Sequence, residues 1–459
     1  MSDPTPTKPS GPASGDHPFE ALPTAERRRR VRSWALWDWA TQPFNTVVLT
    51  FVFTALYLTQ DSFVDPAVVA LGEDDPAYER ALAGLTSALG AWIAVGGLLV
   101  ALLAPVLGRR ADVTGRRKAW LGAGTILLVV CMFGLGLVRA DPAYFVLGAA
   151  LISLGSVASE IAGVNYNAML TQVSTPRTIG KVSGLGWGLG YVGGIVALVV
   201  VVVAQQLDFF GMPTDDGLGY RAIAVGCGLW AVAFAWPLFR NVPEAPPAAD
   251  RPRVGFFAGY VELWHDVVRL FRTSRTTFWF LLASAVYRDG LAGVFTFGAI
   301  VAAVSFRFAD DQVILFGIAA NLLAGASTIV AGRLDDRLGA RRVIVWSLAA
   351  LVTCGLVVVA LHPLGAVVFW VAGLALTCFV GPAQTASRSF LARLTPAGQE
   401  SEIFGLYATT GRAVSFLTPM LWGTVIALTG ATIWGVLGIV AVLLTGLVLM
   451  LVVTDRADA

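Results

Sequence analysis

Five ionisable side chains stand inside long apolar stretches of this 459-residue chain: Asp38, Glu160, Arg288, Asp289 and Arg412. A charge at the centre of a bilayer costs roughly 2.5–3.5 kcal/mol on insertion scales, so such groups face a cavity and find partners. Their formal charges sum to −1, which leaves one carboxylate without a simple partner and makes it a candidate proton carrier. The chemistry open to this set is proton exchange at Glu160 or Asp38, with Arg288 or Arg412 engaging an anionic group of a solute. The alternative is that all five make static pairs between helices. Polar residues near them extend the candidate path: Gln42, Asn45, Asn165, Asn167, Tyr287 and Gln384. Each of these has a packing alternative, because polar side chains also join helices in membranes.

A second constellation is duplicated. Gly108, Asp112, Gly115 and Arg117 recur as Gly332, Asp336, Gly339 and Arg341 at an offset of 224 residues, with Arg116 in the first loop and Arg337 in the second adding further charge. Glycines let helix ends approach closely and turn sharply. An Asp at a helix border can accept hydrogen bonds from a neighbouring helix's first amides and from Arg. Such contacts can form in one conformation and break in another, so two copies in register predict a pair of gate loops.

The elements that must position these residues are membrane helices. The chain is 56% hydrophobic and 14% charged, and a hydrocarbon core of about 30 Å needs roughly 20 apolar residues per crossing. Apolar segments fall near 34–59, 82–107, 119–139, 142–168, 181–205, 219–239, 277–302, 312–332, 343–361, 364–387, 403–428 and 431–453. Of the 32 Lys and Arg, 26 fall in segments on one side of this twelve-helix arrangement and four on the other (Arg80, Arg139, Arg221 and Arg307), with Arg288 and Arg412 inside helices. Arg388 and Arg393 are counted here with an inside loop. This bias places both termini in the cytosol of a cell (inner) membrane protein.

Residues 1–33 read as a disordered basic cytosolic tail, 34–239 as a six-helix bundle, 240–276 as a cytosolic linker, 277–454 as a second six-helix bundle and 455–459 as a tail. Within the linker, Phe256, Tyr260, Leu263, Trp264, Val267 and Phe271 share one face of an amphipathic interfacial helix. The net charge of +2 points to no nucleic-acid partner. Cys131, Cys227, Cys354 and Cys378 lie apart in apolar segments, which is neither a metal site nor a disulfide framework. His17, His265 and His362 cannot converge on a site, and no phosphate-binding Gly-Lys-Ser/Thr loop exists. Neither an enzyme nor an ATP-driven pump is expected, and no cofactor is called for.

The duplicated loops resemble those of the major facilitator superfamily over essentially the full helical length. Further motifs are Trp37-Asp38-Trp39-Ala40, Asn165–Leu170, Ser183–Gly186, Tyr287–Gly290, Gln384–Ser389 and Glu402–Tyr407. In this order they resemble the branch named for the autophagy-related vacuolar amino-acid effluxer and its bacterial relatives. The resemblance implies an all-α fold of two pseudo-symmetric six-helix bundles, in which helices one, four, seven and ten line a central path. Four of the five intramembrane charges stand on three of those helices. It further implies a secondary transporter working by alternating access, with proton coupling and an amino-acid-like solute as its finer form. The expected partners are that solute, protons and the bilayer, for a monomeric chain. A non-transporting receptor or docking protein on the same fold is the alternative.

Overall fold

A computed structural model describes residues 18–72, 74–207, 215–244, 255–308 and 310–453, and the described residues are helices and their connections. The spans are α1 (Thr24–Pro43), α2 (Pro76–Thr114), α3 (Arg117–Leu135), α4 (Phe145–Ala168), α5 (Ile179–Gln206) and α6 (Leu218–Asn241), followed by a linker helix (Phe256–Thr273). The second half holds α7 (Arg275–Ile300), α8 (Asp310–Leu338), α9 (Ala340–Ala360), α10 (Leu374–Leu394), α11 (Glu400–Ala413, resuming as Leu417–Thr429) and α12 (Gly435–Val452). Among the described residues, eleven helices are long and apolar enough to cross a membrane. The remaining crossing is α1, which continues through wider π turns over Phe44–Phe51 and Phe53–Tyr57.

The widening of α1 has a local cause. Pro43 has no amide proton, so the Trp39 carbonyl loses its intrahelical donor. The indole of Trp230 on α6 donates to that carbonyl at 3.1 Å, replacing the missing bond from outside the helix. Beyond the proline the ladder shifts to five-residue steps, as in Val52 donating to Val47 at 2.8 Å.

Helix ends follow their residues. Asp75 accepts the Ala77 amide at 2.7 Å ahead of Pro76, a side-chain cap with proline in the first turn. At the other end of α2, Gly115 adopts φ 66°, which ends the helix in a left-handed turn.

One expectation is corrected at the start of the chain. The disordered tail expected through residue 33 is helical from Thr24, and Phe19 before it is buried. Glu26 stands four residues before Arg30 and accepts from its Nε at 3.1 Å, while the prolines end at Pro23. Residues 1–17, 245–254 and the expected tail 455–459 lie outside the described residues.

Contacts divide the helices into two groups. In the first half α1 packs on α5 and α6, and α4 on α2 and α3. In the second half α10 packs on α8 and α9, and α12 on α7, α9 and α11. The two halves meet along two seams of swapped character, α2 against α11 and α5 against α8. Leu98, Ile126, Leu137, Trp236 and Leu428 point outward and are more than half exposed, an apolar perimeter suited to lipid.

The linker helix docks on the end of α2. The buried Arg109 pairs with Asp266 and lies 3.8 Å from Glu262, and the Tyr260 hydroxyl donates to the Leu102 carbonyl at 3.2 Å. Phe257 and Trp264 remain exposed on the linker helix.

Candidate functional site

The gate-loop residues meet the opposite half of the molecule at the face where the basic loops lie. Asp112, 1% exposed at the end of α2, accepts the amides of Ser401 at 3.1 Å and Glu402 at 2.9 Å at the start of α11. Four amides at a helix start have no intrahelical acceptor, so this carboxylate satisfies two of them and complements the helix dipole. Arg117 ties the corner together: its Nε donates to Asp112 at 2.7 Å, and its Nη2 pairs with Glu400. Gly108 is needed one turn earlier, because a Cβ there would run into the Ser401 carbonyl.

The second copy mirrors the first across the interface. Asp336 at the end of α8 accepts the amides of Gly180 at 2.7 Å and Lys181 at 2.9 Å, at the start of α5. The equivalence stops at the arginine. Arg341, in the position of Arg117, turns away and donates to the Val453 carbonyl at 2.5 Å and the Leu451 carbonyl at 3.0 Å, closing the end of α12. Arg393 of α10 supplies the charge instead, pairing with Asp335 at 2.5 Å and Asp336 at 3.2 Å, while Ser389 donates to Asp335. Arg116 and Arg337 are exposed, and Gly115 and Gly339 both take positive φ in the turns.

Above these loops, towards the middle of the helices, stands a largely buried constellation around Asp38 and Arg388. From the sequence alone Arg388 reads as a residue of an inside loop. It lies instead within α10, is 3% exposed, and reaches Asp38 of α1 at 3.4 Å. Tyr166 of α4 donates its hydroxyl to the same Asp38 oxygen at 2.9 Å. The signal was present in the Gln384–Ser389 motif, since Arg388 precedes the end of an apolar helix by nearly two turns. Other cross-half bonds lie close by: Ser183 with Thr385 at 2.8 Å and the Tyr191 hydroxyl to Gln384 at 2.9 Å.

The remaining candidates separate into groups. Glu160 of α4 and Arg412 of α11 pair across the halves at 2.5 Å, with side chains 42% and 38% exposed. Arg288 of α7 lies with its guanidinium 3.8 Å from the centre of the Tyr407 ring and donates to the Tyr407 carbonyl at 2.9 Å. Asp289 points the other way: it accepts the Thr418 amide at 2.6 Å, capping the segment where α11 resumes. Tyr287 is wholly buried and bonds Ser387 at 2.6 Å. Asn167 accepts from Arg388 at 3.1 Å, whereas Asn165 is 0% exposed and donates to its own helix at Ile161. Gln42 donates to Thr46 at 3.3 Å, and Asn45 is half-buried on the same helix. The structure thus joins Asp38 and Asn167 through Arg388 and joins Glu160 to Arg412. It sets Asp289, Tyr287 and Asn165 into helix packing. Among the described residues no cluster of His, Cys, Asp and Glu could hold a metal ion.

A profile of the family described as vacuole effluxer Atg22 like matches residues 83–458. The chain belongs to this Atg22-like family. An uncharacterised MFS-type transporter of Bacillus subtilis, YxiO, is 24% identical over 436 residues, covering 94% of this chain and 96% of that relative. Autophagy-related protein 22 of Cryptococcus neoformans is 26% identical over 294 residues, covering 58% of this chain and 51% of that protein. Two solved transporters share the fold. The proton:xylose symporter XylE superposes with a TM-score of 0.74 at 11% identity, over 94% of this chain and 97% of its own. The human organic anion transporter MFSD10 gives 0.70 at 16%, over 94% and 100%. The Atg22-like chain is therefore a multi-pass membrane protein with the major facilitator fold. Its relatives are transporters rather than enzymes, and it is a secondary transporter.

Proposed function

We propose that this Atg22-like protein moves a small solute by alternating access between its two six-helix halves, with the basic face in the cytosol. One observation carries the reading: both duplicated carboxylates, Asp112 and Asp336, cap a helix of the opposite half at the same face. The named bonds between halves run from that face up to the level of Tyr191 and Glu160. In this reading the molecule is in a state closed towards the cytosol, with the Glu160–Arg412 pair partly exposed. Charge distribution supports the orientation, since 26 of 32 Lys and Arg were assigned to that side, and moving Arg388 into the interior leaves the bias intact.

The finer reading is a proton-coupled carrier of amino-acid-like solutes, working as a monomer. Glu160 and Arg412 offer a carboxylate and a guanidinium within one ion pair, groups complementary to an amine and a carboxylate. Glu160 is also the proton exchanger of this scheme, because its side chain is 42% exposed against 22% for that of Asp38. The test is flux in proteoliposomes for a panel of amino acids, peptides and small anions, with and without an imposed pH gradient. Saturable uptake that responds to the gradient supports the reading. Ligand binding without flux for every member of the panel supports a receptor instead.

A further inference from the structure

Arg388 belongs to the C-terminal half, yet its guanidinium is surrounded by groups of the N-terminal half. Its Nε donates to the Ser183 hydroxyl at 2.9 Å and its Nη2 to the Ser183 carbonyl at 2.5 Å. Its Nη1 reaches the Asn167 side-chain oxygen at 3.1 Å and the Asp38 carboxylate at 3.4 Å. The rings of Trp34, Tyr166 and Trp187 stand 5.1, 5.7 and 5.7 Å from its central carbon. Every acceptor and every ring comes from α1, α4 or α5; the cation alone comes from α10.

The cage is held together without Arg388. Trp34 stacks on Tyr166 at 4.3 Å and donates its indole N–H to the Tyr166 carbonyl at 3.0 Å. Trp37 stacks on the other side of Tyr166 at 4.5 Å and is anchored to Thr125 at 3.0 Å. Tyr166 fixes Asp38 in turn. Gly186 keeps the interior open, since a Cβ there would lie 2.9 Å from the Asp38 carboxylate and 3.0 Å from Arg388 Nη2.

We infer that this cage is a binding site for the head group of an organic cation, a guanidinium or alkylammonium, and that Arg388 occupies it here as a built-in stand-in. The inference rests on the alternating-access reading, because Arg388 leaves only when the halves part at the basic face. Withdrawal strips the cage of a cation while its largely buried carboxylate, 22% exposed, and aligned acceptors remain, an arrangement that is costly to leave unpaired. Three aromatic faces favour a soft organic cation over a strongly hydrated metal ion. The fork of acceptors matches a planar guanidinium better than a point charge. Ligand and Arg388 therefore compete, and a bound cation holds the basic face open.

The test uses the full-length protein in detergent. Arg388→Ala empties the cage, and ethylguanidinium, ethylammonium and sodium chloride are added at equal ionic strength. Millimolar ethylguanidinium raises the melting temperature of Arg388→Ala by about 2 °C or more, ethylammonium by less, and sodium not at all. The rise disappears in Arg388→Ala combined with Asp38→Asn or with Gly186→Val. Where Arg388→Ala does not fold, Arg388→Gln takes its place. A rise equal for sodium, or none for either organic cation, overturns the proposal.

A second arm reads the opening itself. Ser401→Cys, at a residue 0% exposed under the closed gate, is placed in a chain whose four native cysteines are replaced. Ethylguanidinium speeds its labelling by a membrane-impermeant maleimide several-fold when Arg388 is present. The same cysteine combined with Asp112→Asn separates the two ideas. If that variant labels readily but ethylguanidinium changes nothing, the cage proposal fails and alternating access stands. If it does not label either, the alternating-access reading itself fails.

Discussion

Asp112 at the end of α2 and Glu402 at the start of α11 are joined carboxylate to amide at 2.9 Å, across the boundary between the two halves. Asp336 and Gly180 repeat the arrangement with the halves exchanged, at 2.7 Å. Each contact belongs to a helix start, where an acceptor of full charge satisfies amides that would otherwise be unpaired. Nothing covalent opposes separation, so in the proposed alternating access these bonds serve as reversible clasps.

Replacing Asp112 or Asp336 by Asn keeps the shape and removes the charge. Loss of a charge-assisted bond of this kind is worth about 1–3 kcal/mol, enough to raise the population opened at the basic face by roughly 5- to 150-fold. Labelling of a cysteine at position 401, a residue 0% exposed in the closed state, measures this. Unchanged labelling in both variants would overturn the clasp role and, with it, the alternating-access reading.

Arg117→Ala has a larger effect on stability than Asp112→Asn. It leaves the buried Asp112 and Glu400 carboxylates side by side without their common cation, and breaking a buried pair from one side costs about 3–5 kcal/mol. Thermal unfolding of the purified protein reads the difference. Arg341→Ala, at the matching position of the second copy, should destabilise less, because its two acceptors are carbonyls at the end of α12.

Gly332→Ala tests the α5–α8 seam. A Cβ at this position would lie 2.6 Å from the Gly180 carbonyl, which is backbone and cannot swing aside. Overpacking of this kind costs about 1–3 kcal/mol, and it is imposed only while the seam is closed. The variant therefore shifts the protein towards the state open at the basic face, seen as a longer spin-label distance between α5 and α8. An unaltered distance distribution rejects this.

Trp230→Phe probes the repair of α1. The phenyl ring preserves most of the packing against Trp39, which the indole now stacks at 5.4 Å. It removes the donor to the Trp39 carbonyl freed by Pro43. A buried carbonyl left unpaired costs about 1–3 kcal/mol, visible as a lower melting temperature. If Pro43→Ala is combined with Trp230→Phe, the amide at 43 can bond Trp39 again, and part of the loss is recovered.

Glu160→Gln separates structure from transport. The pair with Arg412 is exposed enough that its net contribution to stability is about 0–1 kcal/mol, so melting changes little. In the proposed coupling the response of uptake to a pH gradient is lost. Retention of that response in Glu160→Gln assigns the proton to another group.

The sequence by itself determined the number of crossings, because apolar runs of bilayer length and a one-sided Lys and Arg distribution are local properties that survive without coordinates. It also marked the duplicated loops, since a repeat is visible in one dimension. It could not say that Arg341 would leave the place Arg117 holds, or that Arg393 and Asp335 would fill it, because a salt-bridge partner is chosen by distance between helices far apart in the chain. Arg388 shows the same limit more sharply. Two turns from a helix end its side chain had two readings, loop or interior, and only the approach of α10 to α1, α4 and α5 decided that it lies beside Asp38. Tertiary packing likewise sorted Asp289 into a helix cap and Glu160 into an exposed pair, two carboxylates that hydropathy treats alike but whose neighbours differ.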